Sequence, residues 1–453
     1  MPGNKSGASL ESELTQFFGE DVGNLPIVSR SYSMVDLPNL ERAITGYAEK
    51  TSASYRAIGY ISEQSFFYNE LRALFSTKAT VTAPDYREVD IDVNSQMRCV
   101  ENGIHLIKDS VGLIAAHVRS DRMTHGLEME VLTTSPELAS DFLEKVRVAI
   151  AEANVYRGKA LSLECDARMP GRSGFSALRF HRFPRVEREE IILPAATLEM
   201  LERNTVRYFQ NVALLRQSGR ALKRGLLLHG KPGTGKTYTA KWLAQALPNV
   251  TTILISADQL GLIKECCQLA RLLAPALVIL EDVDLIAGER DEKRHPAYQI
   301  TLHQLMNEMD GLSSNLEVLF LLTTNRPEVI ESAIAARPGR IDQAIEFPLP
   351  DAECRQRLLS FYSKGLTLSL KEPGQVVERT AGASPAFIQE LIRKAAMIAA
   401  EQGDVTDGVI QVSDSHMDIA LREMVYGGGA LTRSLLGFSS QESETVNIER
   451  ESV

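Results

Sequence analysis

The chain has 453 residues, of which 44% are hydrophobic and 24% are charged, and its formal net charge is −10 at pH 7. This length predicts roughly two to four structural units, and the composition excludes disorder of the whole chain. The acidic balance gives no electrostatic reason to expect nucleic acid as a partner, since such binding usually requires a basic surface.

The cysteines and the apolar segments indicate a cytoplasmic protein. The five cysteines are odd in number and scattered, without a Cys-x-x-Cys pair, so neither a disulfide framework nor a zinc site is indicated. No apolar run approaches the ~20 residues that cross a bilayer. The first residues lack the basic start and apolar stretch of a signal peptide. We therefore expect a soluble protein in a reducing compartment, with no membrane partner.

The first part of the chain predicts an α+β domain. Residues 1–30 form a polar lead with one amphipathic helix, and residues 31–186 mix helical and alternating patterns. No catalytic constellation is evident in residues 31–186, so we interpret them as an N-terminal domain that binds a client or partner. Helices are expected across Leu37–Lys50, Glu63–Phe75 and Glu137–Ala153, and strands at Val89–Val93, Gly103–Ile107, Val111–Val118 and Leu127–Leu132.

Residues 187–350 predict a parallel α/β fold, because short apolar strands alternate with helical segments. Residues 351–430 are expected to be helical, and residues 431–453 are expected to be a flexible polar tail. The expected strands are Gly225–His229, Thr252–Ser256, Leu277–Leu280 and Glu317–Leu322, and the expected helices are Ala196–Ser218, Lys236–Leu247, Gly261–Leu273 and Ala297–Asp310.

The segment Gly230–Thr237 is a complete P-loop, G-K-P-G-T-G-K-T, between an apolar strand and a helix. That context favours a phosphate-binding loop over a chance glycine-rich turn. Its backbone N–H groups and the helix N-terminus attract phosphate oxygens. Lys236 is expected to reach the β- and γ-phosphates, and Thr237 is expected to bind Mg²⁺. The sequence therefore predicts ATP and Mg²⁺ as cofactors, bound by Gly230, Pro232, Gly233, Thr234, Gly235, Lys236 and Thr237.

Two acids follow the apolar strand Leu277–Leu280, which delivers Glu281 and Asp282 to the carboxyl edge of the sheet. One acid is expected to orient Mg²⁺ and the other to polarise the attacking water. Asn325 ends the last expected strand of the sheet, where it can hydrogen-bond the γ-phosphate or the lytic water. A cap of the following turn is the alternative role for this asparagine.

Arg337 and Arg340 flank a Pro-Gly turn shortly after Asn325. Arginine offers a planar fork of donors to phosphate oxygens. The short spacing predicts that both face away from their own nucleotide and serve as arginine fingers for a neighbouring subunit. Pairing with local surface carboxylates is the alternative.

The order of these motifs resembles the AAA family of the AAA+ superfamily of ATPases. The segments Met309–Leu312 (MDGL) and Gly382–Ile388 (GASPAFI) add to the likeness, which covers roughly Ile191–Tyr426. The resemblance implies a P-loop NTPase parallel sheet with a helical lid and ATP at subunit interfaces. It also implies a hexameric or similar homo-oligomeric ring in which Arg337 and Arg340 act in trans.

The sequence departs from this family in three places. Glu281 precedes Asp282, which reverses the usual order and resembles the mitochondrial AAA chaperone that inserts an iron–sulfur subunit into a respiratory complex. By position Glu281 is the magnesium ligand and Asp282 the base, although the shorter side chain leaves the base assignment open. The aromatic pore loop is missing, and Leu262–Lys264 is its nearest counterpart. Ile191–Pro194 replaces the glycine-rich motif on the adenine side.

The sequence as a whole predicts an ATP-hydrolysing AAA ATPase that forms a ring and acts as a protein remodeller or assembly chaperone. A protein client would bind through the N-terminal domain. The inverted acids keep open a nucleotide-switched oligomeric scaffold with little turnover. A nucleic-acid-remodelling ATPase is a weaker alternative, because the chain is acidic and has no recognisable nucleic-acid module.

Overall fold

The structure is a computed structural model that describes residues 8–62, 70–121, 126–165, 175–284, 304–328 and 341–424. The chain divides into two compact units, Met1–Arg182 and Phe183–Val453. Among the helices of these described ranges, none is both long and apolar enough to span a bilayer.

The first unit contains an antiparallel sheet with helices on both faces. The strands of this sheet are β1 (Ile27–Ser33), β2 (Ser54–Ile61), β3 (Thr80–Thr82), β4 (Asp85–Asp92), β5 (Ser95–Lys108), β6 (Leu113–Asp121) and β7 (Gly126–Thr133). A separate antiparallel hairpin of β8 (Ala160–Cys165) and β9 (Phe175–Phe180) follows them in the chain. The helices of this unit are α1 (Leu10–Phe18), α2 (Leu37–Lys50), α3 (Leu71–Ser76) and α4 (Pro136–Glu152). The strand order is β1-β7-β6-β5-β2-β3, and β4 also pairs with β5.

Alternate residues of the sheet supply two separate hydrophobic cores, as the period of a strand requires. Ala116 of β6 lies in the core beneath α2 and α4, whereas its neighbour Ala115 lies in the core beneath α1 and α3. The first core includes Leu40 and Phe142, and the second includes Leu14. Both faces of β6 are therefore buried.

Residues 8–30 belong to this first unit rather than to a separate polar lead. Leu10 and Leu14 of α1 are fully buried in the second of these cores. Strand β1 pairs along its whole length with β7, from Ile27 opposite Leu132 onward. The sequence predicted the amphipathic helix of this segment but not the burial of its apolar face in the core of the first unit. Of the helix expected across Glu63–Phe75, the described part is Leu71–Ser76, and residues 63–69 lie outside the described residues.

The second unit contains a parallel sheet. Its strands are β10 (Arg224–His229), β11 (Thr251–Ile255), β12 (Ala276–Leu280), β13 (Val318–Thr324) and β14 (Gln343–Glu346), in the spatial order β14-β10-β13-β12-β11. Every residue of β12 and β13 is buried, which explains why these strands are continuous apolar runs. Helices α8 (Lys236–Ala246) and α9 (Ile263–Leu272) follow β10 and β11, and residues 304–311 are helical before β13. The predicted parallel sheet is therefore present.

The helix expected across Ala196–Ser218 is divided into α5 (Ala195–Asn204), α6 (Val206–Gln210) and α7 (Val212–Gln217). At the first break, the Thr205 hydroxyl donates to the Leu201 carbonyl at 2.7 Å. At the second, the Asn211 amide donates to the Arg207 carbonyl at 2.7 Å. Such local side-chain bonds compete with the helical backbone pattern, so an apolar pattern at helical spacing does not reveal these breaks.

Four helices and a small sheet form the last described segment of the chain. They are α10 (Ala352–Tyr362), α11 (Pro373–Arg379), α12 (Pro385–Glu401) and α13 (Asp414–Arg422), with strands β15 (Thr367–Ser369), β16 (Val405–Thr406) and β17 (Val409–Ser413). Leu358, Phe387 and Met417 share a hydrophobic core here. The short strands correct the expectation of a purely helical segment. Residues 425–453, including the expected tail, lie outside the described residues.

Candidate nucleotide-binding site

The P-loop connects β10 to α8 and requires glycine at two close approaches. A Cβ atom on Gly230 would lie 2.3 Å from the carbonyl oxygen of Phe347. A Cβ atom on Gly233 would lie 2.8 Å from the Cβ atom of Ala386, and the φ angle of Gly233 is 75°. These conditions exclude a side chain at both positions. The loop is therefore packed against the strand end on one side and the first turn of α12 on the other.

The Lys236 ammonium group lies inside this loop, and the residue is only 5% exposed. Its Nζ atom donates to the Gly230 carbonyl at 2.8 Å, the Lys231 carbonyl at 3.1 Å and the Oδ1 atom of Asn325 at 2.7 Å. Burial lowers the pKa of Lys236 to about 8, against the opposing effect of two nearby carboxylates. The lysine is thus held between the loop and the end of β13.

Asp282 lies on the same side as Lys236. Its backbone N–H donates to the Thr323 hydroxyl at 2.9 Å, and its Oδ1 atom accepts from the Asn325 side-chain amide at 3.3 Å. Its φ angle of 47° is uncommon for a residue with a side chain. Burial and the negative charge of Asp284 raise its pKa, against the opposing effect of Lys236. Asp282 therefore faces the lysine and asparagine of the site.

Glu281 lies on the other side, next to Thr237. Burial raises the pKa of Glu281, whereas the charge of Lys241 and the nearby Thr237 side chain oppose this rise. A hydroxyl and a carboxylate are oxygen ligands, which Mg²⁺ prefers. Thr237 and Glu281 therefore fit the donor set of a magnesium site.

The Asn325 side chain joins the motifs, because its amide oxygen accepts from Lys236 and its amide nitrogen donates to Asp282. Within the described residues its side chain is thus directed across the site rather than at its own turn.

Asp284 has no role that its sequence pattern predicts, but the structure places it against Asn325. Asp284 is 8% exposed, and its Oδ1 atom accepts from the Thr324 hydroxyl at 2.9 Å and the Asn325 backbone N–H at 3.0 Å. The signal in the sequence was a third acid two residues beyond Asp282.

A cavity of about 550 Å³ opens above the P-loop, which is within the usual size range of ligand pockets. One end is formed by Pro232–Thr239 with Asp282 and Asn325, and the other end is largely apolar. The apolar end also carries Glu190, whose carboxylate accepts from the Tyr238 hydroxyl at 2.7 Å. The sequence alone did not identify this end, whose lining residues include Ile191, Ile192, Leu193, Leu358, Phe361, Tyr362 and Pro385.

The structure thus brings together the predicted P-loop residues with Glu281, Asp282 and Asn325. Arg337 and Arg340 lie outside the described residues. Their role as fingers for a neighbouring subunit stays a prediction.

The parallel sheet, the glycine loop before α8 and the acids after β12 define a P-loop nucleoside-triphosphate-binding class. Residues 226–349 match the ATPase family associated with various cellular activities (AAA). Residues 226–349 are therefore similar to an AAA ATPase domain.

Two kinds of curated relatives are similar to this chain. It is 33% identical over 227 residues to the proteasome-activating nucleotidase of Thermococcus onnurineus. The aligned region covers 45% of this chain and 56% of that protein. It is 32% identical over 246 residues to the ATP-dependent zinc metalloprotease FtsH of Mycoplasmopsis pulmonis. The aligned region covers 50% of this chain and 32% of that protein. The chain thus spans between about a third and a little over half the length of these relatives. The likeness to the mitochondrial assembly chaperone stays a prediction.

Proposed function

We propose that this protein is an ATP-driven, ring-forming remodeller or assembly chaperone that hydrolyses Mg-ATP at the site around Lys236. The observation that carries the proposal is the position of the Asn325 side chain. It hydrogen-bonds Lys236, 89 residues away, and Asp282, 43 residues away, above one cavity. Three motifs that are distant in the sequence therefore converge where a nucleotide phosphate would lie.

The residues of the site have separate roles in phosphoryl transfer. The glycine loop and Lys236 bind the phosphates. Thr237 and Glu281 would hold Mg²⁺, which would neutralise charge on the phosphate oxygens when bound. Asp282 accepts a proton from the attacking water, and Asn325 orients that water or the γ-phosphate. The apolar end of the cavity takes the adenine.

The assembled form we propose is a hexameric or similar homo-oligomeric ring. The family resemblance supports this form, with Arg337 and Arg340 supplied to the neighbouring site. The first unit, which has hydrophobic cores of its own, is the proposed binding unit for a protein client. The cytoplasm is the proposed location, since Cys99, Cys267 and Cys354 are free thiols of the kind found in reducing compartments.

A nucleotide-switched scaffold is the second candidate function, and the order of the two acids favours it. The base position is occupied by the shorter Asp282, which already hydrogen-bonds Asn325. Continuous turnover distinguishes the enzyme from the scaffold.

The test measures phosphate release and the binding of fluorescent ATP by the purified full chain. We expect steady turnover by the wild type and loss of nucleotide binding in Lys236→Ala. The matched control is Lys371→Ala, which removes an exposed lysine from the same unit. A wild type that binds ATP without turnover contradicts the enzyme and supports the scaffold, and unchanged binding by folded Lys236→Ala contradicts the P-loop assignment.

A further inference from the structure

We propose that Asp284 is a positioning residue for ATP hydrolysis that acts through Thr324 and Asn325. The proposal rests on the proposed ATPase function and concerns its chemical step. Asp284 holds the backbone at the end of β13, so that the Asn325 side chain meets Lys236 and Asp282.

The Asp284 carboxylate contacts two adjacent residues at the end of β13. One oxygen atom, Oδ1, accepts from the Thr324 hydroxyl at 2.9 Å and from the Asn325 backbone N–H at 3.0 Å, across 40 and 41 residues of sequence. The side chain is buried, with 8% exposure for the residue. One oxygen atom therefore holds two donors from adjacent residues, and its removal would leave both donors without this acceptor.

The Thr324 hydroxyl extends the anchor by one more residue. It donates to Asp284 and accepts from the Arg326 backbone N–H at 3.0 Å. Asp284 and this hydroxyl therefore hold residues 324–326, the segment in which the chain leaves the sheet. The backbone of Asn325 lies in the middle of this held segment.

The direction of the Asn325 side chain follows from its held backbone. Its amide oxygen lies 2.7 Å from Lys236 Nζ, and its amide nitrogen lies 3.3 Å from the Oδ1 atom of Asp282. Loss of the anchor allows the end of β13 to relax and turns the amide away from the phosphates. Misplacement of a catalytic group by about 1 Å can reduce the rate about 100-fold.

Asp284 acts on the chemical step rather than on ATP binding. Among the described residues that line the cavity, Asp282 and Asn325 are present and Asp284 is not. The phosphate-binding loop is Gly230–Thr237, which Asp284 does not hydrogen-bond within the described part of the chain. We therefore expect a change in kcat with little change in ATP affinity.

The test compares Asp284→Ala with Asp284→Asn in full-length protein. Alanine removes the acceptor, and we expect kcat to fall about 10- to 100-fold, with the dissociation constant for ATP within about twofold of the wild-type value. Asparagine keeps an Oδ1 acceptor for both donors, so it should recover most of the rate. The matched control is Asp141→Ala, an exposed aspartate of α4 in the first unit.

A second pair of variants keeps the test valid if Asp284→Ala does not fold. Thr324→Val removes the hydroxyl and should lower kcat, whereas Thr324→Ser keeps the hydroxyl and should retain it. Equal losses in Asp284→Ala and Asp284→Asn, or in Thr324→Val and Thr324→Ser, would overturn the positioning role. So would a parallel loss of ATP binding. A wild type that binds ATP but does not turn over contradicts the proposed function instead, because the Asp284 comparison requires an active wild type.

Discussion

The Tyr238 hydroxyl donates a hydrogen bond to the Glu190 carboxylate at 2.7 Å, and both residues line the nucleotide cavity. Tyr238 lies in the first turn of α8, directly after Thr237, whereas Glu190 precedes the segment Ile191–Leu193. The bond therefore joins the phosphate-binding helix to the wall that we assign to adenine.

We predict that Tyr238→Phe weakens ATP binding while kcat stays close to wild type, because the bond shapes the cavity rather than the reacting centre. Loss of a hydrogen bond worth about 1 kcal/mol corresponds to about a fivefold increase in the dissociation constant. Glu190→Gln should have a smaller effect, since its amide oxygen still accepts. Nucleotide titration checks both variants, with Tyr86→Phe in the first unit as the control, and unchanged affinity in Tyr238→Phe contradicts the prediction.

We predict different defects for the two acids that follow β12. Asp282→Asn should slow hydrolysis and leave ATP bound, because Asp282 faces Lys236 and Asn325. Glu281→Gln should mainly weaken magnesium-dependent binding, because Glu281 contacts Thr237. Phosphate release and nucleotide titration with and without Mg²⁺ separate the two effects. The assignment of the roles is wrong if the two variants exchange these defects.

We predict that Gly233→Ala strongly reduces ATP binding. The new Cβ atom would lie 2.8 Å from the Cβ atom of Ala386, and the φ angle of 75° is unfavourable for alanine. The Gly233 carbonyl also accepts from the Ala386 backbone N–H at 3.2 Å, so the substitution pushes α12 away from the loop. Gly374→Ala, with open space around it, is the control. Normal ATP affinity in folded Gly233→Ala would show that ATP binding does not require the close packing of Gly233 against Ala386.

We predict that mixed rings recover activity lost in two separate variants. Arg337→Ala/Arg340→Ala subunits and Lys236→Ala subunits should each be inactive alone. In a mixture, some interfaces combine an intact P-loop with intact arginines from the neighbour, and a trans arginine contributes about 10³- to 10⁵-fold in rate. Phosphate release by co-assembled rings is the measurement. A mixture that stays inactive after mixed rings are demonstrated refutes the trans assignment.

We predict that the first unit loses stability as the pH falls below the ordinary histidine pKa of about 6.5. His105 and His117 are fully buried beside Tyr55 and Tyr60, and His117 also bonds Glu130 at 3.0 Å. Burial lowers the pKa of both histidines, that of His105 to about 4. The unfolded chain therefore binds more protons below pH ~6.5, so acid favours unfolding.

Hydrogen–deuterium exchange of β5 and β6 between pH 7.5 and 5 tests this prediction. Protection should fall with pH in the wild type, after correction for the intrinsic exchange rate. The decrease should be smaller in His105→Phe, which has no group to protonate at that position. Equal pH dependence in the two proteins would mean that His105 does not contribute.

Much of the second unit could be predicted from the sequence because its central strands are uniformly apolar. The central strands β12 and β13 are buried on all sides, so each is a continuous apolar run that ends in polar residues. The P-loop follows β10 and so indicates where the carboxyl edge of the sheet lies. The limits of the predicted strands differ from the observed ones by one or two residues. The first unit was harder, since β1 and β2 contain serine, arginine and tyrosine, and their pairing with distant strands determines their structure.

The sequence by itself determined which residue types could handle a nucleotide phosphate, since the glycine loop, its lysine and the two acids are local patterns. Only the tertiary structure decided which partner each acid meets. Glu281 meets Thr237, Asp282 meets Asn325, and Asp284 meets the backbone that carries Asn325. The reason is physical: three acids within four residues differ little in sequence, and the turn of the backbone at Asp282 sends them in different directions. Their partners come from α8 and the end of β13, which adjoin β12 only when the sheet has formed.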